Sequence, residues 1–96
     1  MSETRNAYVE RQKENISQWN LEIDKYQVKA EKVSANMVDK YQKQIEELKV
    51  KRTGLEEKIS EIEKSVEAGW EDLKIGAEKA FKALDKSFKN AKSRFN

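Results

Sequence analysis

Acid and base chemistry in this chain can come only from carboxylates, because histidine and cysteine are both absent. That absence removes the commonest general base, the thiol nucleophile and most transition-metal ligands. Three acidic pairs are adjacent in sequence: Glu46 with Glu47, Glu56 with Glu57, and Glu71 with Asp72. Neighbours on a helix point about 100° apart, so none of these pairs shares a site, and all three read as solvated faces. A carboxylate-bridged metal centre of the kind helical bundles build would need Glu-x-x-His, a pattern this composition cannot supply. The chain also has no phosphate-cradling glycine loop, no nucleophile elbow and no calcium loop. We therefore expect no catalytic residue, no cofactor, no metal and no enzyme activity.

The residues that speak are apolar, and their spacing defines the elements. From Ile16 to Phe95 an apolar residue recurs every third or fourth position: Ile16, Trp19, Ile23, Tyr26, Ala30, Val33, Met37, Tyr41, Ile45, Leu48, then Leu55, Ile59, Ile62, Val66, Trp70, Leu73, Ala77, Ala80, Leu84, Phe88, Ala91 and Phe95. Only a helical stripe explains that period. Counting the seven-residue step from Leu48 to Leu55 as two turns, its mean spacing is about 3.6 residues, closer to a straight helix than to the 3.5 of a heptad coiled coil, so strong supercoiling is not expected. With 36% apolar and 40% charged residues, the chain is too lean for a thick core. Thin helical packing is expected, and the rival reading, disorder, is opposed by the aromatic residues on or beside the stripe. The expected class is all-α: long amphipathic helices forming a coiled coil, hairpin or bundle.

Helix breaks are hard to place because there is no proline. Gly69, before Trp70 and at a phase step of the stripe, is the best candidate turn. Gly54 sits in Thr53-Gly-Leu-Glu56, a capping-box pattern that could restart a helix. Gly76 lies off the apolar face. The cluster Ser34-Ala-Asn36 is the remaining candidate. Two architectures follow. In the favoured one, a long helix over 5–66 is followed by a shorter one over 70–95, and association between chains covers the stripe. In the other, turns near Asn36 and Gly69 cut the chain into three segments that fold back as a bundle. The first is preferred because loop chemistry near Asn36 is weak. Accordingly, 1–69 is read as a coiled-coil region and 70–96 as a basic amphipathic helix within a single domain.

Twenty basic and eighteen acidic residues give a net charge of +2, which draws the chain neither to nucleic acid nor strongly to anionic surfaces. The excess is local: residues 70–96 carry seven basic and four acidic side chains. Acid-first pairs at i,i+4 (Asp39 with Lys43, Glu47 with Lys51, Glu78 with Lys82, Asp85 with Lys89) mark exposed faces, each contributing a few tenths of a kcal/mol. Burying a large stripe residue contributes about 1.5–3 kcal/mol, so covering the stripe dominates. The packing interface is expected at Ile16, Trp19, Ile23, Tyr26, Val33, Met37, Tyr41, Ile45, Leu48, Leu55, Ile59, Ile62, Val66, Trp70 and Leu73.

The alternative is a membrane-surface role for residues 70–95. Phe81, Leu84, Phe88 and Phe95 share one wedge with lysines around the rest, as on helices that lie on anionic lipid. Acidic residues on the polar face and the many alanines oppose it. The polar N-terminus lacks a signal-peptide core and no run reaches the roughly 18 apolar residues of a membrane span, so a cytoplasmic location, or a peripheral one at the membrane, is expected.

The segments QWNLEIDKYQVKAEK, DKYQKQIEELKVKR and GWEDLKIGAEKAFKAL together resemble a group of small, mostly uncharacterised bacterial coiled-coil domain-containing proteins. The likeness spans nearly the whole chain and is most distinctive at Tyr41–Leu48 and Trp70–Phe81, although where this chain has Phe81 the group often has tryptophan. The resemblance implies a bacterial, intracellular helical protein with a link to stress, and it brings no catalytic residues. Together with the stripe it gives the functional expectation: a non-enzymatic scaffold that associates with itself or another helical protein.

Overall fold

The computed structural model describes residues 3–95, the side chain of Phe95 excepted. Three helices follow one another: α1 (Arg5–Glu31), α2 (Ala35–Lys64) and α3 (Trp70–Phe95). The chain is all-α, as the period of the stripe requires. Several helix ends have a local cause. Thr4 caps α1, its side chain accepting from the Ala7 N–H at 3.1 Å. Ser65 ends α2 by donating both its hydroxyl and its backbone N–H to the Ile62 carbonyl, at 2.6 and 3.1 Å. Glu71 and Asp72 in the first turn of α3, with Lys92 and Arg94 in its last, complement the helix dipole.

The long helix expected over 5–66 is corrected: the chain reverses at Lys32–Ser34 and folds back as a bundle measuring 52 × 19 × 16 Å. Tertiary burial decides this. One stripe folded back twice covers itself, which outweighs the weak loop chemistry at the turn. Contacts fix the directions. Lys13 meets Glu63 while Asn20 meets Arg52, so α1 and α2 are antiparallel. Between α1 and α3, Tyr8 faces Trp70, Trp19 faces Phe81 and Tyr26 faces Phe88, a constant step of 62 positions that makes them parallel.

The stripe becomes the core. Ile16, Ile23, Tyr26, Ala30, Ile45, Leu48, Leu55, Ile59, Ile62, Trp70, Ala77, Leu84, Phe88 and Ala91 are buried, and Trp19, Tyr41, Leu73, Ala80 and Phe81 pack against them half-buried. Val33 and Met37 are half-buried at the first turn. Val66 is a correction: it is 74% exposed, because the second turn carries it out of the bundle. Gly54 is another, since α2 runs through it without interruption. A turn does lie at Gly69, yet no glycine in the described chain has positive φ, so the reversal does not depend on glycine's freedom. The core also reaches further back than the stripe suggested, to the buried Tyr8 and Val9.

Candidate functional site

Among the buried polar groups of the described residues, two sets bring chemically distinct side chains together. At the first, Lys51 on α2 donates to Ser87 Oγ at 2.5 Å and to Glu47 Oε1 at 3.0 Å, with Ser87 Oγ 3.5 Å from the same carboxylate oxygen. A serine beside a lysine resembles a nucleophile with its base. Here the ammonium is a donor to both partners, so it has no lone pair to take the Ser87 proton. Ser87 is buried in mid-helix on α3, and what the three groups accomplish is a fixed register between α2 and α3.

At the second, Tyr8 and Gln12 of α1 are completely buried near the second turn. Two cations lie over the Tyr8 ring, the Arg11 guanidinium at 5.2 Å and the Lys74 ammonium at 5.1 Å from its centroid, and Lys74 also lies 5.5 Å from the Trp70 ring. Burial pushes the Tyr8 phenol up from its ordinary value, and the neighbouring Glu78 carboxylate adds to the shift. Tyr8 Oη and Gln12 Nε2 have no hydrogen-bond partner in the described chain. Asn15 donates to Gln12 Oε1 at 3.4 Å, a long contact. A neutral phenol beside cations is an anchor for α1 and not an acid poised to react.

The remaining candidate is the seam between α1 and α3, which side-chain rings fill. Trp19 stacks on Phe88, with centroids 5.3 Å apart and planes at 7°, and tilts against Phe81 at 5.2 Å. Tyr26 meets Phe88 at 6.5 Å, and burial followed by the Glu22 charge pushes its phenol up. Trp19 and Phe81 remain half-buried. A groove of about 210 Å³ opens here between Trp19, Glu22, Tyr26, Phe88, Lys89 and Lys92. A larger groove of about 480 Å³ lies at the first-turn end, lined by Met37, Lys40, Tyr41, Gln44 and Arg94.

Of the residues expected at the packing interface, all but Val33, Met37 and Val66 join the core or pack against it, within one chain. Of the expected lipid-contact residues, Leu84 and Phe88 are buried and Phe81 packs on Trp19 in the closed bundle; Phe95 lies outside the described side chains. Tyr8 and Gln12 were missed: Tyr8 falls upstream of the first clear repeat, and a glutamine carries no apolar signal. Of the four expected i,i+4 pairs, Glu47 with Lys51 and Asp85 with Lys89 form, both at 3.0 Å. No group of three or more acidic side chains able to hold a metal occurs among the described residues, and no helix among them is long and apolar enough to cross a membrane. No family model, curated protein or solved structure matches the chain.

Proposed function

We propose that this chain is a non-enzymatic helical interaction protein, a bacterial scaffold that pairs with a second copy of itself or with another helical protein. The ring-filled seam carries the reading. Trp19, Phe81 and Phe88 bring α1 onto α3 through large apolar surfaces, two of which remain half open, the kind of surface an amphipathic helix recognises.

Light scattering coupled to size exclusion tests the homotypic form. A species heavier than the 11.2 kDa chain is expected as concentration rises. Trp19→Ala should change its population, because the seam loses both ring contacts. A helical partner is sought by crosslinking in a bacterial lysate, with Trp19→Ala as the control. A strictly monomeric chain that recovers no partner dependent on Trp19 would defeat the proposal. Sedimentation with anionic vesicles serves as the counter-test: the closed bundle should stay in the supernatant, since Leu84 and Phe88 are covered.

A further inference from the structure

The turn that makes α1 fold back is built from residues that could equally be helix. Lys32, Val33 and Ser34 include neither glycine nor proline, and no described residue has positive φ. Lys32 is already in the right-handed helical region (φ −102°, ψ −3°), and the reversal shows in the extended backbone of Ser34 (φ −64°, ψ 156°). The apolar stripe crosses this point in phase. Ala30, Val33, Met37 and Tyr41 keep steps of three, four and four, so they fall on one helical face if residues 32–34 take helical dihedrals.

Bonds of short sequence range hold the turn's own residues: Lys32 N–H to the Lys29 carbonyl at 3.0 Å, Met37 N–H to the Ser34 carbonyl at 2.9 Å, and Ser34 Oγ to Asn36 Oδ1 at 2.6 Å. Ser34 makes no side-chain bond to the exposed N–H groups of α2. The second turn differs. There Ser65 caps α2, and the Arg5 guanidinium reaches across from α1 to donate to the Ser65 carbonyl and pair with Glu67 at 3.9 Å.

We propose that two copies of this chain exchange α1. In the exchanged dimer, residues 5–64 form one continuous helix, about 90 Å long at ~1.5 Å per residue, and each α1 packs on the α2 and α3 of the other copy. This deepens the self-association reading and rests on it. The packing of α1 is the same in both forms. The dimer loses two turns and gains unbroken helical hydrogen bonding through residues 32–35 in each copy. The closed monomer is favoured by the tethering of α1, equivalent to a local concentration on the order of millimolar. Exchange therefore needs α1 to leave the core, and it is expected to be populated by refolding at high concentration.

Two substitutions act on the turn in opposite directions. Ala35→Pro holds the break: proline suits the first helical position, and it keeps the residue before it extended, as Ser34 already is. Ser34→Ala removes a residue type that favours a helix start and supplies a strong helix former. After refolding at millimolar chain, Ser34→Ala should raise the dimer fraction several-fold over the unsubstituted chain, and Ala35→Pro should bring it to background. The exchange itself is read directly by mixing, because the chain has no cysteine. Lys13 and Glu63 pair across α1 and α2 at 2.7 Å and are both about half exposed, so each tolerates replacement. Lys13→Cys chains and Glu63→Cys chains, co-refolded and treated with a short bismaleimide, should give a mixed covalent dimer. Mixing folded chains at micromolar concentration should give only background. A dimer that survives Ala35→Pro and yields no such mixed crosslink would overturn the exchange while leaving self-association intact. Monomers alone, from the unsubstituted chain and from Ser34→Ala at millimolar concentration, would overturn both.

Discussion

Tyr8 shows how a buried polar side chain can serve structure without being reactive. Its hydroxyl is enclosed and makes no hydrogen bond of ordinary geometry, although the Glu78 carboxylate acts on it, and Arg11 and Lys74 lie over its ring. Tyr8→Phe keeps the ring and removes a buried hydroxyl, so stability at neutral pH should change by no more than about 1 kcal/mol in urea unfolding. The alkaline response should change more clearly. The folded phenol titrates above its unfolded value, so the folded state holds its proton where the unfolded state has lost it. Stability is then complete below about pH 10, the unfolded tyrosine value, and declines as pH rises past it. The urea midpoint should fall less between pH 9 and pH 11 in Tyr8→Phe than in the unsubstituted chain. An identical fall in both would show that Tyr8 is not the group responsible.

At the scale of the element, α2 carries a removable weakness. Gly54 is mid-helix with no positive φ, and a Cβ added there meets nothing within 4 Å. Gly54→Ala should therefore stabilise the chain by about 0.5–1 kcal/mol, seen as a higher thermal midpoint. Leu48, fully buried on the same helix, gives the opposite case: Leu48→Ala should cost about 2–5 kcal/mol, since it leaves a cavity between three helices. Both helix ends at the second turn were partly legible in sequence, because Gly69 and the phase step at Trp70 mark it. The first turn was legible only in the less favoured reading, from the cluster Ser34-Ala-Asn36. Val33 and Met37 read as stripe, and in the bundle they still serve as stripe, half-buried on either side of the reversal. The signal for the turn, Ser34 with an extended backbone before Ala35, is one residue deep.

For the whole molecule, the decisive fact is where the stripe finds its cover. An isolated helix exposing these side chains would need another chain before becoming stable. The bundle supplies that cover internally, so far-ultraviolet circular dichroism should show the same high helix content from micromolar to submillimolar chain, with one cooperative thermal transition. Helicity that rises steeply with concentration over that range would instead place the cover between chains. Among the described residues, five large apolar side chains remain outside, namely Leu21, Val28, Val50, Val66 and Ile75, each at least half exposed. They are spread over three helices and the second turn.

The period of the side chains determined most of what this chain is. It made the fold all-α and named nearly every core residue from Ile16 to Ala91. The tertiary structure decided three things the period could not. It turned the chain at Lys32–Ser34, drew Tyr8 and Gln12 into the core, and laid Phe88 against Trp19 inside the molecule. The physical reason is common to all three. Helical spacing fixes which face must be covered, but the covering surface is chosen by contacts between residues dozens of positions apart, and those contacts leave no local mark in the sequence.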